Sequence, residues 1–139
     1  MKRLLNAGLI LLVMLAALRP ASGQEQNAAA QASVESWLSL VDKQQYADSW
    51  QAAAGYFKNA ITAQQWQDAA SRARGPLGAL KSREVKSVTA AKTLPGAPDG
   101  DYVVFQFNTT FERKAAAVET VTAIHEPDSN WRVVGYFVR

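Results

Sequence analysis

The apolar residues of this chain change their spacing near Leu80, and that change limits the folds open to it. Before Leu80 the spacing is helical. Val34, Trp37, Leu38 and Val41 fall at i, i+3, i+4 and i+7, along one side of an α-helix. A second stripe, Tyr46, Trp50, Ala53, Ala54, Phe57 and Ile61, predicts a second helix. Thr62-Ala63-Gln64-Gln65 fits a capping box, in which the Thr62 hydroxyl and the Gln65 side chain satisfy free amides where a third helix begins. That helix carries Trp66, Ala69, Ala70 and Ala73 on one side. It must stop at Gly75-Pro76, because proline cannot continue the backbone ladder.

After Leu80 the period falls to two. Residues 82–93, rich in Val, Thr, Lys and Ser, read as a weakly amphipathic strand exposed on one side. Residues 94–100, Leu-Pro-Gly-Ala-Pro-Asp-Gly, are a turn by composition. The clearest strand follows, with Val103, Phe105, Phe107 and Phe111 on one face and Gln106, Asn108, Thr110 and Glu112 on the other. Arg113-Lys114 makes a charged turn. Residues 118–126 form a third strand, with Thr120 and Thr122 opposite Val121 and Ala123. Pro127-Asp128-Ser129-Asn130 closes a second hairpin, and residues 131–138 are the last strand.

Helices grouped ahead of a meander, with none between neighbouring strands, argue an α+β fold. The short connections make the strands antiparallel. Three N-terminal helices are therefore expected on one face of a curved four-stranded antiparallel sheet. They bury Val103, Phe105 and Phe107 against Trp37, Trp50, Phe57 and Trp66, each worth roughly 1.5–3 kcal/mol of burial.

The first 23 residues have a different grammar. Lys2 and Arg3 precede an apolar run from Leu4 to Leu18, then Arg19-Pro20 and the small residues Ala21-Ser22-Gly23. That is a secretory signal peptide, with cleavage expected after Gly23 and small residues at Ala21 and Gly23 for the peptidase to read. Fifteen helical residues span about 22 Å, short of a hydrocarbon core of roughly 30 Å, so a retained anchor fits less well. The expected layout is a leader over 1–23, a frayed polar lead-in over 24–32, and one domain over 33–139. The exported form would reside in the periplasm or the medium, with no membrane span.

Loss of the leader removes Lys2, Arg3 and Arg19 from the 15 Lys and Arg, which leaves 12 against 12 Asp and Glu. The basic balance of the whole chain thus belongs to its leader. Clustered positive charge, the footprint of nucleic-acid binding, is missing, and no nucleic-acid partner is expected. The chain has no cysteine, which removes disulfides, thiol catalysis and thiolate metal sites.

Several segments together carry a likeness: Arg74-Gly75-Pro76-Leu77-Gly78, residues 94–104, Glu119-Thr120-Val121-Thr122, and Trp131 through Phe137. Over roughly residues 32–139 the chain resembles the bacterial family known as domain of unknown function 4019. The resemblance implies a small exported or periplasmic domain and brings no catalytic residues with it. The element order is also similar to nuclear-transport-factor-2-like and cystatin-like folds. The strand hairpin that the larger of these folds places among its helices is not read here.

The chemistry-bearing residues are sparse. His125, the one histidine, reads as an exposed strand-end residue; a general base poised by Glu126 would lack a nucleophile and an oxyanion site. Asp99 and Asp101 flank Gly100, but a calcium loop needs further oxygen ligands at set spacing. Gly75-Pro76-Leu77-Gly78 lacks the Gly-Lys-Ser/Thr ending of a phosphate loop. Ser39, Ser49 and Ser71 have no histidine in motif range, and Glu35, Asp42, Asp48 and Asp68 read as helix-surface charges. No catalytic residue, metal or cofactor is expected.

Two surfaces stand out instead. Trp37, Tyr46, Trp50, Trp66, Tyr102 and Tyr136 are the residues that could line an apolar ligand pocket between helices and sheet. Gln106, Asn108, Thr110, Thr120 and Thr122 form a polar, Thr-rich sheet face suited to a homodimer or partner contact. The expectation is an exported accessory or binding domain acting through that pocket or face. The alternative is a small isomerase- or dehydratase-type enzyme on a cone-shaped α+β fold. A buried carboxylate facing a cavity beside a Tyr or His would mark the enzyme; a filled core and a self-complementary sheet would mark the interaction module.

Overall fold

The computed structural model describes residues 22–139, so the expected leader, up to and including Ala21, lies outside the described residues. Helix α1 (Gly23–Asp42) starts at once. The Ser22 hydroxyl accepts the Glu25 amide at 3.2 Å, and the Glu25 carboxylate accepts the Ser22 amide at 3.1 Å. The frayed lead-in expected over 24–32 is therefore helix. Its alanines are the best helix formers. The stripe Val34, Trp37, Leu38 and Val41 is buried, as its spacing requires.

The second stripe forms two helices, α2 (Tyr46–Ala52) and α3 (Gly55–Ala60), which corrects the single helix expected there. The break falls at Ala53-Ala54, both wholly buried. Ala54 leaves the helical ladder and donates its amide to Val133 O at 2.8 Å. Helix α4 (Ala63–Arg74) opens on the Thr62–Gln65 capping box and passes into a single 3-10 turn at Gly75–Leu77. Its buried side is Trp66, Ala70 and Arg74, while Ala69 and Ala73 are exposed, contrary to their expected place in the apolar stripe.

Strands β1 (Leu80–Ala91), β2 (Tyr102–Phe111), β3 (Lys114–His125) and β4 (Trp131–Val138) form one antiparallel sheet in chain order. Pairing Val103 with Ala123, Phe105 with Val121 and Phe107 with Glu119 puts these residues on the inner face, under the helices. Register shifts at Leu80/Ser82, Val85/Ser87, Thr109/Phe111 and Thr122/Ala123 mark bulges or irregularities. Such bulges bend and twist a sheet locally. Helix α1 crosses β3 and β4 and only grazes β1. Val85 and Val88, on the inner side of β1, consequently stay 41% and 37% exposed. The outer edge of β4 is covered differently: Ala54 caps Val133 O, and the Ser33 hydroxyl donates to Trp131 O at 2.6 Å.

Candidate functional site

Four charged side chains meet between the helix layer and the sheet. Asp42 ends α1, Arg74 ends α4, Arg83 stands on the inner face of β1, and Glu119 stands on the inner face of β3. Glu119 is 0% exposed. Its Oε1 accepts from Arg83 Nε at 2.7 Å and from the Thr109 hydroxyl at 2.7 Å, and its Oε2 accepts from the Tyr136 hydroxyl at 2.6 Å. Arg83 reaches on to Asp42 with both terminal nitrogens, at 2.8 and 2.9 Å. Arg74 Nη2 donates to the same carboxylate at 2.8 Å, while its guanidinium lies 4.6 Å above the Phe111 ring.

Two positive and two negative groups thus neutralise one another inside the protein. Burial works to raise the Asp42 carboxyl, but hydrogen bonds and charge from Arg83 and Arg74 outweigh it and hold the group below the usual carboxylate range. Burial pushes the Tyr136 phenol well up, and the Glu119 charge beside it adds to the shift. A carboxylate next to a tyrosine is therefore present, but the carboxylate is closed to solvent and fully engaged. It holds fold elements together.

Asp42 was expected on the helix surface, and the structure corrects this. Arg74, Arg83 and Glu119 went unread. Their signal was charge at apolar positions: Glu119 alternates with Ala117 and Val121, Arg83 with Val85, and Arg74 follows Trp66 and Ala70 at helical spacing.

The six aromatic pocket residues do not share one wall. Trp37, Trp66 and Tyr136 pack ring to ring, with centroids 5.5–6.3 Å apart. Both buried indoles are anchored on Ser49: Trp37 Nε1 donates to its carbonyl at 2.8 Å and Trp66 Nε1 to its hydroxyl at 2.9 Å. Trp50 and Tyr46 pack against this cluster, and Trp50 Nε1 donates to Ile61 O at 2.8 Å. Tyr102 lies elsewhere, on the outer face near Pro98 and Gly100, with its hydroxyl on Pro98 O. A cleft of about 320 Å³ opens where Asp42, Tyr46 and Arg74 meet Gly75, Glu112 and Arg113.

The five sheet-face residues do lie together. Gln106 pairs with Thr120, and Thr122 sits between Val104 and Gly135. Asn108 and Thr110 help line a trough of about 430 Å³ beside Ser82, Glu84 and Val118. Among the described residues no helix covers this outer face, and Phe137, opposite Thr120, is 54% exposed on it.

His125 is half-buried and stacks on Trp131 with centroids 4.9 Å apart, which corrects the exposed position expected for it. Glu126 does not poise it, since that carboxylate takes Arg132 at 2.9 Å and the Gly55 amide at 3.3 Å. Asp101 pairs with Lys92. Among the described residues no helix is long and apolar enough to cross a membrane.

The model of the family described as "Protein of unknown function (DUF4019)" matches residues 33–136, three quarters of the chain. The chain belongs to the DUF4019 family. In this DUF4019 protein the match spans the helices from Ser33 on and nearly the whole sheet, and it takes in every member of the ion cluster. No curated protein matches the chain.

Proposed function

We propose that this DUF4019 protein is exported and serves as a small binding domain rather than an enzyme. It acts through the outer face of its sheet, and the surface it meets there is the same face of a second copy. The observation that carries this reading is Phe137, a large apolar side chain 54% exposed on a sheet face that no helix among the described residues covers. Around it stand the uncharged residues Val104, Gln106, Thr120, Thr122 and Gly135. Glu84 and Arg132 stand on this face in the two edge strands, and Lys86 lies at the β1 bulge beside Ser87. A face without like charges at its centre can meet its own copy without repulsion, as a two-fold interface requires. Four strands about 4.8 Å apart and roughly 30 Å long offer ~500 Å² per copy. Two such faces bury about 1,000 Å², in the range of weak, reversible association.

Export is supported by the leader pattern of residues 2–23. The enzyme reading would draw on Glu119 and Tyr136, but the oxygens of Glu119 already accept from Arg83, Thr109 and Tyr136.

Because the chain has no cysteine, a single introduced one reports contacts cleanly. Thr122→Cys should form a disulfide-linked dimer under mild oxidation, and Val88→Cys on the opposite face should not. Equal cross-linking at both positions, or at neither, would contradict the interface.

A further inference from the structure

We infer that Lys81 and Lys86 guard the open edge of the sheet and keep β1 from pairing with the β1 of a second copy. This goes beyond the outer-face reading and does not depend on it. Along the edge of β4, the Ala54 amide and the Ser33 hydroxyl occupy Val133 O and Trp131 O. The edge of β1 has no such cover. Among the described residues, only β2 hydrogen-bonds to the backbone of residues 81–91. A bare edge of this kind presents a row of unpaired amides and carbonyls on which a further strand can form. Apolar surface adds to the hazard. Val85 and Val88 lie where α1 only grazes β1, 41% and 37% exposed, and a strand laid beside β1 would cover them.

The lysines fall where they oppose this. Each of the two register shifts between β1 and β2 leaves one β1 residue without a partner. These are Lys81, between Leu80 and Ser82, and Lys86, between Val85 and Ser87. Bulges bend a strand and sharpen its twist, which spoils a straight ladder on the free side. Both lysines are exposed, and neither has an ion-pair partner among the described residues. Arg83, between them, is engaged by Asp42 and Glu119, and Lys92, just past the strand, is matched by Asp101. The free charge along β1 is therefore two lysines against one carboxylate, Glu84. Two such edges meet with the same net sign, and like charges across a strand pair are destabilising. The valines attract a second edge; the lysines repel it.

The test is the mass in solution by light scattering over a range of concentrations, in the Phe137→Lys background so that the outer face is out of play. Adding Lys81→Val and Lys86→Val keeps residues suited to a strand. It should turn a mass that is flat with concentration into one that climbs to about double or more. Adding Val88→Lys to that protein should bring the mass back down. Lys81→Glu with Lys86→Glu keeps the edge charged and should leave the mass flat. A flat mass in the valine protein overturns the inference. Assembly that survives Val88→Lys overturns it, because such assembly does not run through β1. Assembly of the glutamate protein overturns it too, because charge then guards nothing. Circular dichroism accompanies each measurement, and assembly with loss of the folded signal also counts against the inference. Failure of the outer-face reading leaves this comparison standing, since every mass is read against Phe137→Lys alone.

Discussion

Arg83 Nε stands 2.7 Å from Glu119 Oε1, a contact that reaches from β1 over β2 to β3. The same guanidinium grips Asp42 at the end of α1 with its other two nitrogens. One side chain therefore ties the first helix to two strands. A buried ion pair is weak evidence for net stability, since desolvating its charges opposes their attraction. Removing one partner is another matter, because the survivor stays buried without its counter-charge.

Glu119→Ala should accordingly destabilise the fold by about 3–5 kcal/mol. Arg83→Met should do the same, and the double variant should cost clearly less than the sum of the two. Denaturant unfolding of the four proteins checks this. Additive losses would mean that the two groups do not couple.

Acid should weaken the fold through Asp42. Its folded pKa lies below the ordinary 3.8, so its stabilising share is present above that value and fades as pH falls through the folded pKa. At the alkaline end the sign reverses. Tyr136 keeps its proton in the fold past the ordinary 10.0, so stability falls as pH rises above that value and the unfolded phenol ionises. Unfolding free energies from pH 3 to 11 should show both limbs. Asp42→Asn should flatten the acid limb, and Tyr136→Phe the alkaline one. Limbs unchanged in these variants would contradict the assignments.

Ser49 is the second polar anchor of the core. Ser49→Ala leaves the Trp66 indole N–H without its acceptor and should cost about 1–3 kcal/mol. Thermal unfolding followed by tryptophan fluorescence should register a drop of several degrees. An unchanged midpoint would mean that the indole finds another partner.

Where side chains alone decide the structure, the sequence was readable. The switch from helical spacing to alternation at Leu80, the Thr62–Gln65 box and the buried row Val103, Phe105, Phe107 and Phe111 all stand in the fold as their patterns require. The break between α2 and α3 was not readable, because alanine carries no signal of leaving a helix. Ala54 leaves it for a distant acceptor, Val133 O. The ion cluster was missed for a related reason. Arg74, Arg83 and Glu119 stand at apolar positions of their own segments, but only the assembled sheet brings them and Asp42 within hydrogen-bond reach. The outer face could be recognised as a surface from alternation, but Phe137 gained its meaning from the pairing that sets it opposite Thr120.

The molecular mass of the protein in solution, by light scattering across a range of concentrations, tests the proposed interface most directly. The outer-face reading predicts a dimer that Phe137→Lys converts to a folded monomer with an undiminished melting temperature. A wild-type protein that stays monomeric at the highest concentration, or a dimer that Phe137→Lys leaves intact, would contradict it.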